Sequence, residues 1–180
     1  MCGYVGFTNT IDNSNKVLTE MMDLIRHRGP DSDGSYIDEN IALGFRRLSI
    51  IDLSNGDQPI YNEDNTKVLL FNGEIYNFQE IREKLISAGH IFKTKSDSEV
   101  LLHGYEEYGK SLLNMLRGMF SFVIWDKESK ELFGARDFFG IKPLYYAVMD
   151  DTFMFVSEIK SFLAHPKFVN ELNKTALKNY

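Results

Sequence analysis

The chain begins Met1-Cys2-Gly3-Tyr4-Val5-Gly6-Phe7-Thr8, and Cys2 is the only cysteine among its 180 residues. Residues 3–8 form a short apolar run rich in β-forming side chains, which predicts a buried strand that starts one residue after Cys2. If Met1 is removed, Cys2 carries a free α-amine beside its thiol, and an amine with a reference pKa of about 7.7–8.0 can act as a base near neutral pH. The alternative is a chance cysteine at a frayed terminus, against which the adjacent strand argues. Cys2 is therefore a candidate nucleophile.

The composition is that of an ordinary folded protein, with 43% hydrophobic and 26% charged residues. A chain of 180 residues suits one globular domain, and the net charge of −6 argues against general nucleic-acid binding or attraction to an anionic membrane. A single cysteine excludes an internal disulfide and fits a reducing compartment. The sequence has neither a signal peptide nor an apolar run long enough to span a membrane, so we expect a cytoplasmic protein.

Hydrophobic periodicity predicts an α+β fold in which helices pack on sheets. Successive strands separated by polar turns favour antiparallel pairing, and continuous apolar runs such as residues 120–125 indicate strands covered on both faces. A helix predicted over residues 173–180 has no stop signal, which favours a truncated chain. Helices are predicted at residues 15–26, 78–88 and 98–108, strands at residues 3–8, 35–38, 41–45, 67–71, 119–126, 131–135, 144–149 and 153–156, and a loop at residues 52–65.

Asn72-Gly73-Glu74 follows the predicted strand at residues 67–71 and is the second candidate site. An asparagine amide and a glycine N–H at the end of a strand could together donate hydrogen bonds to a developing oxyanion. The alternative is a plain Asn-Gly hairpin turn, for which this dipeptide is a strong signal.

Charged residues supply the third candidate site. Arg46 and Arg47 end an apolar strand, and one guanidinium could bind a carboxylate with bidentate geometry; the alternative is a solvated basic pair. Asp97 lies where a helix is predicted to begin, and its carboxylate could hold an ammonium group or only cap that helix.

Other chemistries have little support in the sequence. No histidine has a second histidine or a cysteine at metal-ligand spacing, so no metal site is predicted. His27 could act as a base, but solvation or a structural hydrogen bond accounts for it better. The glycines form neither a phosphate loop nor a dinucleotide-binding fingerprint. The four scattered histidines are His27, His90, His103 and His165.

Each of these features is common alone, but together they resemble one known family. In order along nearly the whole chain, they match the N-terminal glutaminase domain of glutamine-hydrolysing asparagine synthetases, which is a class II glutamine amidotransferase domain. The matching strings are Met1-Cys2-Gly3, Arg26-His27-Arg28-Gly29-Pro30-Asp31, Arg47-Leu48-Ser49-Ile50-Ile51-Asp52, Asn72-Gly73-Glu74-Ile75-Tyr76-Asn77, Ser96-Asp97-Ser98-Glu99, Gly118-Met119-Phe120-Ser121-Phe122, Ala135-Arg136-Asp137, Gly140-Ile141-Lys142-Pro143-Leu144-Tyr145-Tyr146 and Ser157-Glu158-Ile159-Lys160.

The resemblance implies an N-terminal-nucleophile hydrolase fold over residues 1–180, a four-layer αββα sandwich of two antiparallel sheets between helices. It also implies that Cys2 attacks the side-chain amide of L-glutamine, with its own α-amine as the base. A γ-glutamyl thioester then forms, and water releases glutamate. By the same resemblance, the side chain of Asn72 and the N–H of Gly73 bind the substrate and stabilise the tetrahedral oxyanion.

Recognition of the glutamine head group is implied in the same way. Arg47 is expected to bind the α-carboxylate, while Glu74 and Asp97 are expected to hold the α-ammonium group. One cation and two anions at fixed separation select a zwitterionic amino acid. Backbone lining the pocket is expected at Leu48, Ser49, Ile50 and Ile51.

In the family, ammonia passes to a C-terminal synthetase domain that uses ATP and magnesium to convert aspartate to asparagine. That domain is absent from these 180 residues, so the resemblance implies a glutaminase domain without a cofactor of its own. Its implied partners are L-glutamine and the synthetase domain, and a homodimer is left open. Two alternatives remain: the amidotransferase domain of a related ligase with another acceptor, and a non-catalytic regulatory module of the same fold.

Overall fold

A computed structural model describes residues 2–48 and 57–178 of the chain. Within these residues, nine strands form two sheets in which every strand pair is antiparallel. The first sheet has the order β2-β3-β1-β9-β8, and the second has the order β4-β5-β6-β7. The strands are β1 (Gly3–Thr8), β2 (Ser32–Ile37), β3 (Ile41–Arg47), β4 (Ile60–Tyr61), β5 (Lys67–Ile75), β6 (Gly118–Asp126), β7 (Glu131–Arg136), β8 (Tyr145–Met149) and β9 (Thr152–Val156).

The two sheets pack face to face through buried side chains of both. Tyr4 and Phe45 from the first sheet meet Leu70 and Trp125 from the second in one apolar cluster. Cys2 is partly buried and packs against this cluster. Cys2, which directly precedes β1, therefore lies at the layer between the sheets.

Helices cover the outer face of each sheet. Helix α1 (Ser14–Leu24) and a 3-10 helix (Ile159–Ala164) pack on the first sheet, while α3 (Ser98–Tyr108) packs on the second and α2 (Phe78–Ser87) packs on α3. The two central strands of the second sheet, β5 and β6, are covered on both faces, as their continuous apolar runs predicted. The predicted αββα arrangement of two antiparallel sheets is confirmed. Two further 3-10 helices, Arg26–Arg28 and Gly109–Asn114, and a short helix α4, Lys174–Lys178, complete the described elements.

Most predicted elements end within two or three residues of the observed ones, but two differ in a way that concerns the site. The predicted loop at residues 52–65 includes β4, in which Ile60 and Tyr61 pair with Leu69 and Val68. Strand β5 continues to Ile75, four residues beyond its predicted end. No helix in the described part of the chain is long and apolar enough to cross a membrane.

Candidate active site

Asn72 and Gly73 lie inside β5 and not in a turn. Asn72 pairs with Ser121 and Gly73 pairs with Phe120 on the antiparallel neighbour β6. A Cβ atom added at Gly73 would come within 2.4 Å of the Met119 carbonyl oxygen, a separation that packed atoms do not tolerate. The hairpin-turn interpretation is therefore wrong, and glycine is required here by the close approach of the two strands.

The backbone N–H of Gly73 points away from β6. In an antiparallel pair, residues alternate between those that bond to the neighbour and those that do not. Phe120, opposite Gly73, directs both its N–H and its carbonyl to Asp137 on the other side. Gly73 therefore makes no backbone hydrogen bond to β6, and its N–H faces the opposite edge of β5.

Two other N–H groups of β5 face the same edge, and both are occupied. The N–H of Phe71 donates to Gln58 Oε1 at 2.6 Å, and the N–H of Ile75 donates to Asp97 Oδ2 at 2.8 Å. The N–H of Gly73 lies between them, and no hydrogen bond to it occurs within residues 2–48 and 57–178. Among the described residues, this edge of β5 therefore has one N–H group without an acceptor, that of Gly73, between two that are already hydrogen-bonded.

The side-chain amide of Asn72 is a second unused donor. Asn72 is only 3% exposed, and its Nδ2 is buried without a hydrogen-bond partner in the described part of the chain. Along β5, Val68 and Leu70 belong to the cluster between the sheets, so the period of two places Asn72 on that same face. A buried N–H₂ group without a partner costs free energy, which is a signature of a group kept for a ligand.

Cys2 is held in place by contacts with Leu48 and Arg28 and by the strand that follows it. The N–H of Leu48 approaches Cys2 Sγ at 3.4 Å, and Sγ lies 3.7 Å from the Leu48 carbonyl oxygen. Pairing of Gly3 with Arg46 places the start of β1 beside the end of β3. Nε of Arg28 donates to the Cys2 carbonyl oxygen at 3.0 Å. The frayed-terminus interpretation is therefore wrong.

Arg28 connects Cys2 to a distant acidic residue. Its Nη1 donates to Glu158 Oε1 at 3.1 Å, and Nε2 of His27 lies 2.9 Å from the same oxygen. Burial opposes ionisation of Glu158, but hydrogen bonds from Arg28, His27 and Lys160 outweigh it and lower the pKa of its carboxyl. His27 thus makes a structural hydrogen bond, as predicted.

Arg46 and Arg47 are both buried, so the interpretation as a solvated pair is wrong. Arg46 points to the α1 side, where it pairs with Asp23 and Asp33 and its Nε donates to the Met22 carbonyl at 3.3 Å. Arg47 Nη1 lies 3.1 Å from Oδ1 of Asp57, whose side chain is exposed. Strand alternation sends the two guanidinium groups to different faces, and that of Arg46 packs toward α1.

Asp97 joins the helix layer to β5. Its carboxylate makes no capping hydrogen bond to α3, although it precedes the first residue of that helix, and it accepts the Ile75 N–H instead. Burial raises the pKa of the Asp97 carboxyl, and the charge of the exposed Glu74 raises it further, while the bond from Ile75 opposes the shift. The capping interpretation is therefore wrong, and two acids lie close together at the end of β5.

A thiol and a buried guanidinium thus lie at the adjacent ends of β1 and β3, and two donors without partners in the described part of the chain and a pair of acids lie toward the end of β5. The whole chain, residues 1–180, matches the family described as the glutamine amidotransferase domain. The chain belongs to the glutamine amidotransferase domain family. The family predicted from the sequence motifs is confirmed.

Relatives of this amidotransferase domain include glutamine-hydrolysing asparagine synthetases. The chain is 49% identical to asparagine synthetase 1 of Bacillus subtilis, with all of this chain and 29% of that protein covered. It is 46% identical to asparagine synthetase 2 of Arabidopsis thaliana, with 89% of this chain and 28% of that protein covered. The chain therefore spans less than a third of the length of these relatives.

Solved structures support the fold of the amidotransferase domain. A glutamine phosphoribosylpyrophosphate amidotransferase from Bacillus subtilis, in complex with ADP and GMP, superposes with a TM-score of 0.75 at 22% identity. The match covers 91% of this chain and 43% of that one. At this identity, the likeness establishes the sandwich fold and not the substrate.

The structure places the predicted site residues that it describes in two groups. Cys2, Arg47 and Leu48 lie at the adjacent ends of β1 and β3, and Asn72–Glu74 with Asp97 lie at the end of β5. The sequence analysis did not predict that Arg28 and Glu158 support Cys2, because 130 residues separate Arg28 from Glu158. The one signal in the sequence was that both residues lie in strings that match the family. The predicted pocket residues Ser49, Ile50 and Ile51 lie outside the described residues.

Proposed function

We propose that this amidotransferase domain hydrolyses L-glutamine to glutamate and ammonia through a thioester on Cys2. The observation that carries the proposal is the pair of unused donors, Asn72 Nδ2 and Gly73 N–H, on one strand of a domain whose N-terminal cysteine is held by Leu48 and Arg28. Such donors stabilise a tetrahedral oxyanion, typically by about 2.7–4 kcal/mol for each donor.

The reaction proceeds by two acyl transfers. The α-amine of Cys2 takes the thiol proton, and the thiolate attacks the side-chain carbonyl carbon of glutamine. The oxyanion accepts hydrogen bonds from Asn72 and Gly73, and the amine returns its proton to the departing nitrogen, which leaves as ammonia. Water, activated by the same amine, then attacks the thioester and releases glutamate with regeneration of the thiol.

The charged residues around the site would bind the head group of glutamine. Arg47 offers a buried guanidinium to the α-carboxylate of glutamine. The α-carboxylate would replace the exposed Asp57 carboxylate as the partner of this guanidinium. Asp97 and Glu74 offer two carboxylates to the α-ammonium group. Backbone of Leu48 and of residues 49–51 would line the pocket beside Cys2.

Arg47→Ala is expected to raise KM for glutamine by roughly 10- to 100-fold and to change kcat much less, because a charge-assisted bond to the substrate contributes about 1.5–3 kcal/mol. Steady-state kinetics of glutamate release measure both constants. Arg46→Ala is the matched control, since Arg46 pairs with Asp23 and Asp33 and should affect the melting temperature but not KM. A fall in kcat alone for Arg47→Ala would contradict this assignment.

Glutamine binding is expected to weaken as pH falls. The raised pKa of Asp97 means that its carboxyl takes up a proton at higher pH than an ordinary aspartate, and only the carboxylate attracts the ammonium group. Bound ammonium favours the carboxylate and lowers its pKa, so affinity is lost as pH falls through the raised pKa and is constant well above it. Calorimetry with Cys2→Ala protein between neutral and mildly acidic pH measures this without turnover.

Asp97→Asn is the control for the pH dependence. The amide still provides an oxygen for the Ile75 N–H, but it neither titrates nor attracts a cation. We expect weaker glutamine binding with a much smaller dependence on pH. An unchanged pH profile in this variant would show that Asp97 does not hold the ammonium group.

In the longer protein, we propose that the ammonia is used by a C-terminal synthetase domain to convert aspartate to asparagine, with ATP and magnesium bound there and no cofactor in the glutaminase domain. Asparagine synthetase 1 of Bacillus subtilis is more than three times as long as this chain. Phe138 and Phe139 are 94% and 83% exposed, and the edge strand β8 exposes Tyr146 and Val148. This apolar surface suits the synthetase domain as its partner. A cytoplasmic location and a homodimer stay predictions.

The test of the proposed function combines intact mass with a glutaminase assay. Protein whose mass corresponds to loss of Met1 should release glutamate and ammonia from L-glutamine in equal amounts. Protein that retains Met1 should fold but not turn over, because its amine is no longer on the nucleophilic residue. Absence of glutamate release by the processed protein would overturn the proposal for this domain.

A further inference from the structure

Two histidines and a glutamate converge on the outer side of the second sheet, away from the glutaminase site. Glu63 lies in the turn between β4 and β5, His90 follows α2, and His103 lies on α3. One ligand atom from each of the three lies within 4.8 Å of the others. These residues are 13 to 40 positions apart in the chain, so no local motif reveals the cluster.

The donor atoms of Glu63 and His103 are spaced as the ligands of a small tetrahedral ion are. Ligand distances of about 2.0–2.2 Å place tetrahedral ligands roughly 3.3–3.6 Å apart. Nδ1 of His103 lies 3.5 Å from Glu63 Oε2 and 3.0 Å from Glu106 Oε2, and Nδ1 of His90 lies 3.9 Å from Glu106 Oε2. Glu106 thus contacts both histidines, but it does not belong to the set of three residues whose ligand atoms all lie within 4.8 Å of one another.

The cluster is supported from behind in the way that metal sites are. Nδ2 of Asn62 donates to Glu106 Oε1 at 2.6 Å, which leaves Glu106 Oε2 directed toward the histidines. Phe92 packs edge-on against the His103 ring at 4.7 Å, and His103 is only 2% exposed. Outer contacts of this kind orient ligand side chains and keep water away from them.

The cluster is separate from the residues assigned to glutamine. Asn62 bonds to Lys67 at the start of β5, five residues before Asn72, which corresponds to about 17 Å along an extended strand. Glu63, His90 and His103 have no place in the proposed hydrolysis. Nε2 of His90 lies 3.4 Å from Glu107 Oε2, and Nδ1 of His103 lies 3.0 Å from Glu106 Oε2. These two hydrogen bonds do not account for Glu63, whose Oε2 lies 3.5 Å from the same His103 nitrogen.

We propose that Glu63, His90 and His103 bind a divalent transition-metal ion of the Zn²⁺ type. Imidazole nitrogens and carboxylate oxygens in a small closed set are ligands that zinc prefers, whereas magnesium and calcium prefer oxygen alone. The bound ion ties α3 and the segment after α2 to the turn between β4 and β5. Its role is therefore structural.

The experiment is a Zn²⁺ titration of tag-free Cys2→Ala protein by calorimetry, because the thiol and amine of Cys2 would themselves bind zinc. We expect one equivalent to bind, and the melting temperature to rise by about 5–10 °C at a free zinc concentration of about 100 times Kd. Co²⁺ bound in place of Zn²⁺ should give the absorption of a nitrogen- and oxygen-ligated tetrahedral site.

Variants decide whether these residues are the ligands. In the Cys2→Ala background, His90→Ala and Glu63→Gln should each weaken Zn²⁺ binding by more than the roughly 10- to 100-fold that loss of an outer partner costs. Glu83→Gln, which removes an exposed carboxylate of α2 that is not part of the cluster, is the matched control and should bind Zn²⁺ normally. Failure of Cys2→Ala protein to bind Zn²⁺, or unchanged affinity in both ligand variants, would overturn the proposal and leave the proposed glutaminase activity unaffected.

Discussion

Cys2→Ala is expected to lower the rate of glutamate release by roughly 10⁴- to 10⁶-fold, the range found when the nucleophile of a covalent hydrolase is removed. Alanine keeps the backbone contacts of residue 2, including the bond from Arg28 Nε to its carbonyl oxygen, so the site remains assembled. Glutamine should therefore still bind, because Arg47 and Asp97 are untouched. Kinetics and calorimetry on the same preparation measure the two effects separately.

Two controls accompany this variant. Cys2→Ser replaces the sulfur by an oxygen, which is smaller and a much weaker nucleophile. We expect its activity to lie between that of Cys2→Ala and that of the unaltered protein. Intact mass must show that each variant begins at residue 2, since retention of Met1 would abolish activity for a different reason. Glutamate release by verified Cys2→Ala protein at more than about a tenth of the normal rate would rule out Cys2 as the nucleophile.

Asn72→Ala is expected to lower kcat by about 10²- to 10³-fold with little change in KM, because the amide donates to charge that develops only in the transition state. The same change should leave the melting temperature nearly unaltered or slightly higher. Nδ2 of Asn72 is buried without a partner among the described residues, so its removal leaves no hydrogen bond unmade. Steady-state kinetics and thermal melts measure both quantities.

Asn62→Ala is the matched control for Asn72. Asn62 is as deeply buried, but its amide donates to Thr66 and Glu106 and its carbonyl accepts from the Lys67 N–H. Its loss should lower the melting temperature by several degrees and leave kcat unchanged, the reverse of the Asn72 result. If Asn72→Ala instead lowered stability and spared kcat, Asn72 would be a structural residue and another donor would have to bind the oxyanion.

The sequence was most informative where the evidence is local. Apolar runs and helical spacing predicted the central strands and all three long helices, since burial on one or both faces imposes a period of 2 or 3.6 on the chain. Ordered strings around Cys2, Arg47, Asn72 and Asp97 predicted the family. The end of β5 was predicted too early, because Asn72-Gly73 also suits a turn and only pairing with β6 extends the strand through it.

Tertiary structure decided how those residues are used. Burial and alternation along β3 separate Arg46, which pairs with α1, from Arg47, and the Asp137 contacts of Phe120 turn the Gly73 N–H toward the open edge of β5. By itself, the sequence determined which side chains are available and the family that they mark. Only the packing of the sheets and helices decided which donors lack partners among residues 2–48 and 57–178 and that His90 meets His103, because these depend on contacts between segments far apart in the chain.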